Sequence, residues 1–310
     1  MRISVAVVTW NRSRALRAAL DSVRRQTRQP DEVVVVDSAS TDGTPDMLAA
    51  EYPEVRLVRL HRNMGCPEGR NIALANCTAE IIYSLDDDGV LHQDCLAEVE
   101  RCMTAHPAAG VVASKTLTSL EVSDEVISAQ MAKLPRQTGR FSGGAVAFRR
   151  SVLEAAGYYP ADFWRQSEEA DLALRAIETG FELWYQPSAI MLHPPGITDS
   201  GATLRFSALN SMRSILRLVP WRFLPAVLIR QASKYVVIGV RQGNVRGVLR
   251  GLAEGAVSTP WLLAKRRPVS IAAMREYLRL RRDYHQRIAA SRVRAHAAAE
   301  PQGRAARRDR

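Results

Sequence analysis

Over the first two hundred residues, short apolar runs alternate with stretches whose apolar positions recur at helical spacing. Ile3 to Thr9, Glu32 to Asp37, Val55 to Leu60 and Glu80 to Leu85 read as strands. Ser13 to Gln26, Thr44 to Glu51 and Glu68 to Asn76 fall between them as helices. Such a β-α-β-α-β-α-β rhythm with short connections predicts an α/β, Rossmann-like and mostly parallel sheet with helices on both faces and right-handed crossovers. Ser13 is expected to cap the first helix, and Thr41-Asp42-Gly43-Thr44-Pro45 is turn chemistry leading into the second.

The pattern continues with a helix from Gln93 to Ala105 and a strand from Gly110 to Lys115, then weakens between Leu117 and Gly139. That stretch reads as a variable loop bordering a site, with one short helix or strand pair. A strand resumes from Phe141 to Arg150, with Gly143 and Gly144 where backbone must approach another group closely. Helices over Ser151 to Ala156 and Glu168 to Thr179 are followed by two short strands, Phe181 to Gln186 and Ala189 to Leu192. The globular part is expected to close near His193.

The last hundred residues differ in kind. Leu204 to Leu218, Phe223 to Val240, Val245 to Ala264 and Ile271 to Ala290 carry apolar residues at helical spacing with arginines on the other faces. Basic amphipathic helices of this sort lie in a membrane interface, form a basic groove, or pack back on a domain with solvated arginine faces. Trp221 and Trp261 sit near helix starts, as anchors at a headgroup boundary would. Three regions are expected: a domain over 1–200, basic amphipathic helices over 201–290, and a disordered basic tail over 291–310.

Charge sharpens this division. Residues 1–203 hold 20 Lys/Arg against 27 Asp/Glu, whereas 204–310 hold 23 against 5, so a net −7 front is joined to a +18 rear. The rear half is suited to a polyanion, either nucleic acid or an anionic membrane surface. With 310 residues, 46% of them hydrophobic, the chain can bury a full core, which excludes a disordered protein. The longest apolar candidate, Val219 to Val240, is broken by Arg222, Arg230 and Lys234, which disfavours a spanning helix. The N-terminus runs straight into a strand, so no signal peptide is expected. Four cysteines without a CxxC pair fit a reduced, cytoplasmic compartment.

Candidate chemistry collects at strand ends. The run Ile81 to Leu85 stops abruptly at Asp86-Asp87-Asp88-Gly89, which delivers three mutually repelling carboxylates to the edge where α/β sheets bind ligands. This is either a solvated acidic turn or a site for a hard divalent cation. Thr9, Asn11 and Arg12 follow the first strand and Asp37 ends the second, where a carboxylate can accept from a base or ribose, or simply close an Asx turn. Arg70 stands on the first turns of the helix after Asn63-Met64-Gly65, positioned for a diphosphate, a base or a surface ion pair. Glu168, Glu169 and Asp171 crowd a helix start behind an aromatic loop containing Trp164. The helix dipole explains acids there, and so does a general base over a substrate hydroxyl.

Together these residues resemble the inverting family 2 glycosyltransferases of GT-A fold, in particular the rhamnosyltransferase-like branch. The likeness runs from residue 3 to about 193 through Val7-Val8-Thr9-Trp10-Asn11-Arg12, Val35 to Thr44, Asn63-Met64-Gly65 with Arg70-Asn71, and Asp86-Asp87-Asp88 as the DxD motif. It continues through Gly143-Gly144-Ala145 and Glu168-Glu169-Ala170-Asp171 as the ED-x-D motif. The resemblance implies that Asp37 binds the nucleotide base with Thr9 and Arg70 close by, and that Asn11, Arg12 and Asp87 line the nucleotide sugar. It implies that Asp86 faces the ribose and that Asp88, with Asp86 and His193, holds Mn²⁺ or Mg²⁺ on the diphosphate. Gly143, Gly144 and Trp164 fall on the acceptor side. Glu169 occupies the position of the catalytic base, usually Asp in the family, with Glu168 and Asp171 as the other candidates.

The implied partners are a nucleotide-diphosphate sugar (UDP- or dTDP-linked, dTDP-rhamnose included), a lipid-linked or cell-envelope glycan acceptor, and the cytoplasmic face of an anionic membrane. Nucleic acid is not expected. A nucleic-acid-binding protein using the basic helices and a nucleotidyltransferase are the alternative readings. The second normally requires a glycine-rich basic loop after strand one, where Trp10-Asn11-Arg12-Ser13-Arg14 stands instead.

Overall fold

The computed structural model describes residues 1–194, 200–284 and 286. Its strands are β1 (Ile3–Thr9), β2 (Glu32–Asp37), β3 (Arg56–Arg59), β4 (Ile81–Asp86), β5 (Val90–Leu91), β6 (Ala109–Leu117), β7 (Arg136–Gln137), β8 (Ala145–Arg149) and β9 (Glu182–Leu192). The helices among them are α1 (Ser13–Arg24), α2 (Thr44–Glu51), α3 (Cys66–Asn76), α4 (Cys95–Ala105), α5 (Asp124–Met131), α6 (Arg150–Ala156) and α7 (Glu168–Glu178). One sheet runs in the order β3-β2-β1-β4-β8-β6-β9-β5, with β7 paired to β9. Strands β3, β2, β1 and β4 are parallel, as the alternating pattern predicts. Beyond them the sheet is mixed, because β8 lies antiparallel between β4 and β6 while β6 and β9 run parallel.

Three departures from the sequence expectations have local causes. The strand expected over Phe141 to Arg150 begins only at Ala145, since 141–144 leaves the sheet to lie over the ends of its neighbours. The two short strands expected after Phe181 are one strand, β9, whose register against β6 jumps between Ser114 and Lys115. Pro187 falls within the extra residues of that irregularity, where its missing N–H breaks the ladder least. Ser13 is the first residue of α1 and does not cap it. Its N–H donates to Asp42 Oδ2 at 3.0 Å, so the capping carboxylate comes from the loop after β2.

The pleat sends Ile3, Val5 and Val7 to one face of the sheet, against Leu16 and Leu20 of α1, Leu48 of α2 and Leu96 and Val99 of α4. The other face, with Ala6, Val34, Ile82, Val146 and Phe148, is covered by Leu74 of α3, Leu153 of α6 and Leu172 of α7. That second layer continues without a break into the C-terminal helices α8 (Ser200–Leu218), α9 (Leu224–Arg241), α10 (Val245–Val257), α11 (Thr259–Ala264) and a helical segment over 271–284. Leu216, Val219, Leu224, Leu262, Met274 and Tyr277 belong to the same core as the sheet. The change near residue 200 is therefore one of secondary-structure type, with the core carried across it.

The expected helix over Val245 to Ala264 divides at Ser258, with Pro260 in the first turn of α11. The outer face of this layer leaves Ile229, Val237, Val240, Leu249, Val257 and Leu263 exposed. Among the described residues no helix is long and apolar enough to cross a membrane. The end of the expected helix to Ala290 and the tail 291–310 lie outside the described residues.

Candidate active site

Parallel pairing sets Thr9 beside Asp37 and Val8 beside Asp86, so the loops after β1, β2 and β4 meet at one carboxyl edge. There one ligand atom each from Asp86, Asp88 and His193 lie within 4.8 Å of one another. His193 is fixed by its own N–H, which donates to the Leu117 carbonyl at 2.9 Å. Its Nδ1 lies 2.6 Å from the Pro194 carbonyl and its Nε2 lies 2.9 Å from Asp88 Oδ1. With Nδ1 donating to the carbonyl, Nε2 turns a lone pair toward a carboxylate oxygen. Two such atoms in contact require a proton or a cation between them. Two carboxylates and an imidazole are a donor set that accepts Mn²⁺ or Mg²⁺.

The middle carboxylate does not join this set. Asp87 is buried and accepts from Thr9 Oγ1 at 2.9 Å and Arg12 Nη1 at 3.3 Å, and burial pushes its carboxyl up to about 6 against the pull of Arg12. It braces the β1 and β4 loops from beneath. Arg12 also reaches Asp88 Oδ2 at 2.6 Å. Asn11 adopts a left-handed conformation (φ 53°) and accepts from the Thr41 N–H at 2.7 Å, which ties the β1 loop to the β2 loop. Asp37 is fully buried. Its Oδ1 accepts from the Ser40 N–H at 3.0 Å, whereas Oδ2 has no hydrogen-bond partner, Arg59 standing 3.6 Å away. A buried carboxylate oxygen without a donor is costly, and it fits a site completed by a ligand N–H.

Arg70 is buried on α3 and spans two acids, donating to Asp86 Oδ1 at 2.6 Å and Glu168 Oε1 at 2.9 Å. Backbone closes over it through the glycine pair. A Cβ on Gly143 would stand 2.6 Å from Arg70 Nη1, and one on Gly144 would fall 1.8–2.1 Å from the Asp86 carboxylate. Of the three acids opening α7, Asp171 is used structurally, accepting from Arg175 at 2.8 Å and from Ser214 of α8 at 2.9 Å. Glu169 is half-buried and accepts from the Gly143 N–H at 3.3 Å. Trp164 is half-exposed, and its carbonyl accepts from the Cys66 N–H at 3.0 Å. Its ring lies so close to Gly65 (φ 83°) that a Cβ there would meet it at 2.9 Å.

Glu168 is buried with Oε2 unpartnered. Burial first, then the neighbouring Glu169 charge, push its carboxyl up to about 7, a rise that Arg70 opposes without cancelling. Its folded-state pKa exceeds the unfolded one, so between about 4.5 and 7 the folded chain binds the extra proton. Stability from this group is therefore present below pH 4.5 and is lost as pH rises through 7. Thermal melts from pH 5 to 8 are expected to show a decline that Glu168→Gln flattens, on the order of 1–3 kcal/mol across the window. A parallel decline in the variant assigns it to other groups.

Ser40 and Asp42, within the run after the second strand, fix the β2 loop, while sequence reasoning missed the cations Lys115, Lys133, Arg136 and Arg140 beyond β8. The only sequence signal for the latter is their clustering around the weakly patterned stretch before Gly143.

Residues 4–157 match the profile of Glycosyl transferase family 2. Over 189 residues the chain is 30% identical to the uncharacterized glycosyltransferase YwdF of Bacillus subtilis, covering 57% of this chain and 68% of that protein. It is 23% identical over 215 residues to the O-antigen chain rhamnosyltransferase RfbN of Salmonella typhimurium, covering 64% and 68%. Among solved structures it shares a fold with the mannosyltransferase PcManGT from Pyrobaculum calidifontis in complex with GDP-Man and Mn²⁺. There the TM-score is 0.57 at 22% identity, over 84% of this chain and 87% of that one.

Proposed function

The chain belongs to glycosyltransferase family 2, and from that premise we propose an inverting transfer of a sugar from a nucleotide diphosphate to a hydroxyl of a lipid-linked or cell-envelope glycan. The observation that carries the reading is the convergence of Asp86, Asp88 and His193 within 4.8 Å at the end of β4, beside the unsatisfied Asp37. Likeness to a rhamnosyltransferase supports a deoxysugar donor such as dTDP-rhamnose, and an Asp37 oxygen that has Arg59 near it but no hydrogen bond supports recognition of an imide N–H, which uracil and thymine both offer. The family assignment does not favour the nucleic-acid-binding or nucleotidyltransferase readings.

In this reading Asp86, Asp88 and His193 would hold Mn²⁺ or Mg²⁺, which would supply positive charge to offset that developing on the leaving diphosphate. Asp37 fixes the base while Asn11 and Ser40 keep the β1 and β2 loops in register. Glu169 takes the acceptor hydroxyl's proton as that oxygen attacks the anomeric carbon from the face opposite the diphosphate, which inverts its configuration. Arg70 acts as a positioning residue: it holds Asp86 toward the donor and steadies Glu168 behind Glu169.

Thermal stabilisation by UDP, dTDP and GDP with and without Mn²⁺ tests this. A ligand at a hundredfold over its Kd adds about 2.7 kcal/mol to stability. The expected result is a shift with a pyrimidine nucleotide that requires metal and is absent in Asp88→Ala. A shift that ignores both metal and the substitution removes the metal assignment, and no shift with any nucleotide removes the donor assignment.

A peripheral position on an anionic membrane is supported by the C-terminal layer. Trp221 and Trp261 are half-exposed or more, with Arg266 4.1 Å and Lys265 4.5 Å from their rings, and Ile229, Val240 and Val257 of the same layer are also exposed. Co-sedimentation with phosphatidylglycerol vesicles is expected, weakened by salt. Failure of the folded protein to sediment removes this placement.

A further inference from the structure

Beyond β8 from the acidic cluster, over β6 and β9, lies a cavity of about 470 Å³ whose wall carries Lys115 of β6, Lys133, Arg136 of β7 and Arg140. Arg136 lies over the Tyr185 ring (4.4 Å) and Arg140 over the Tyr284 ring (4.8 Å), and Lys133 donates to Gln130 at 3.0 Å. Among the described residues none of the four is ion-paired to a carboxylate. The acid on the wall, Asp283, is taken by Arg279 at 3.2 Å. The crowding registers on Lys115, whose ammonium is held below its usual range by burial and then by the charges of Lys133 and Arg136. Four facing cations are a standing repulsion that an anion relieves.

The cavity adjoins the acidic cluster without sharing its residues. Lys115 stands on β6, two strands from β4 in the sheet order, roughly 10 Å across the sheet from Asp86 and two residues before Leu117, whose carbonyl holds His193; none of Asp86, Asp88 and His193 lines the cavity. Ser142 on the cavity wall is adjacent to Gly143, whose N–H holds Glu169. The cavity wall therefore ends one residue from the turn that holds Glu169.

We propose that this cavity is a second anion subsite, which takes a diphosphate carried by the acceptor and sets the acceptor's sugar hydroxyl against Glu169. The assignment rests on Glu169 as the base and on a donor at the acidic cluster. It states the acceptor class more narrowly, as a glycan or lipid bearing a phosphate ester near the accepting hydroxyl. Arg136, stacked on Tyr185, is pre-oriented for bidentate contact with phosphate oxygens, while Lys115 adds a point charge at the cavity floor.

Titration calorimetry in the presence of a chelator tests the subsite with inorganic pyrophosphate, farnesyl diphosphate and farnesol. Both diphosphates are expected to bind without metal and farnesol not to. Lys115→Gln/Arg136→Gln is expected to weaken the diphosphates roughly tenfold or more, and UDP with Mn²⁺ to bind within twofold of wild type. Lys133→Gln/Arg140→Gln, at exposed positions, gives the same reading should the first pair fail to fold. Farnesyl diphosphate binding at least as tightly as pyrophosphate assigns the group to a lipid carrier, whereas pyrophosphate bound and farnesyl diphosphate refused overturns the acceptor assignment. Loss of all binding in chelator, or equal affinity in wild type and both variants, overturns the subsite. A protein that binds farnesyl diphosphate but no nucleotide with Mn²⁺ keeps the subsite and loses the donor reading.

Discussion

Glu169→Gln is expected to lower kcat by about 10²–10⁴-fold while leaving metal-dependent nucleotide binding within about twofold of wild type. The amide keeps the shape of the side chain and an oxygen for the Gly143 N–H, so the glycine turn over Arg70 stays in place. What is lost is the ability to take a proton, together with the charge that raises Glu168. Glu168→Gln provides the contrast. Glu168 is buried against Arg70; the amide keeps an oxygen for that arginine but not the charge, which is expected to lower nucleotide affinity together with rate while keeping the stability that ionised Glu168 loses above pH 7. Asp171→Asn is expected to act through Ser214 and Arg175 on the docking of α8. Near-normal turnover in Glu169→Gln with a selective loss in Glu168→Gln would move the base to Glu168.

Gly144→Ala is expected to abolish the metal-dependent response to nucleotide. The added methyl would lie 1.8–2.1 Å from the Asp86 carboxylate atoms, closer than any side chain tolerates. Asp86 has no easy retreat, because Arg70 holds its Oδ1 at 2.6 Å and Arg70 is itself buried against Glu168. Either the carboxylate leaves the cluster or the β8 turn lifts from β4, at a cost of about 1–3 kcal/mol. Mn²⁺ titration is expected to show affinity at least tenfold weaker, with the melting temperature lowered. Wild-type Mn²⁺ affinity with a lowered melting temperature would show that the β8 turn lifts and Asp86 stays, and wild-type values of both would show that Asp86 is not a ligand.

The sequence was most informative where one local rule fixes one outcome. The apolar run into Asp86 made that strand end legible, and Asp37 was legible because parallel pairing brings successive strand ends to one edge. The motifs resembling family 2 enzymes then named Glu169, Asp88 and His193 together. What stayed hidden depends on contacts distant in sequence. Nothing local distinguishes Asp87, turned inward to Thr9, from its neighbours on either side. Arg70 was legible as a candidate for a diphosphate, a base or an ion pair, but its acidic partners were not, since only the fold brings Asp86 and Glu168 to it from 16 and 98 residues away. The basic cavity assembles cations from β6, β7 and the loops around it, which share no periodicity. The C-terminal helices were ambiguous for a different reason: a basic amphipathic stripe states that an apolar face exists, and not whether protein or lipid covers it.

The continuity of the core into those helices governs the order in which the chain can mature during synthesis. Strand β9 completes the sheet at Leu192, yet Phe148, Tyr159 and Leu172 acquire their final cover only when Leu216, Leu262, Met274 and Tyr277 arrive. At about 5–20 residues per second, the 85 residues from Leu192 to Tyr277 emerge over roughly 4–17 s. For that interval the nascent chain carries an open greasy flank beside an already paired sheet.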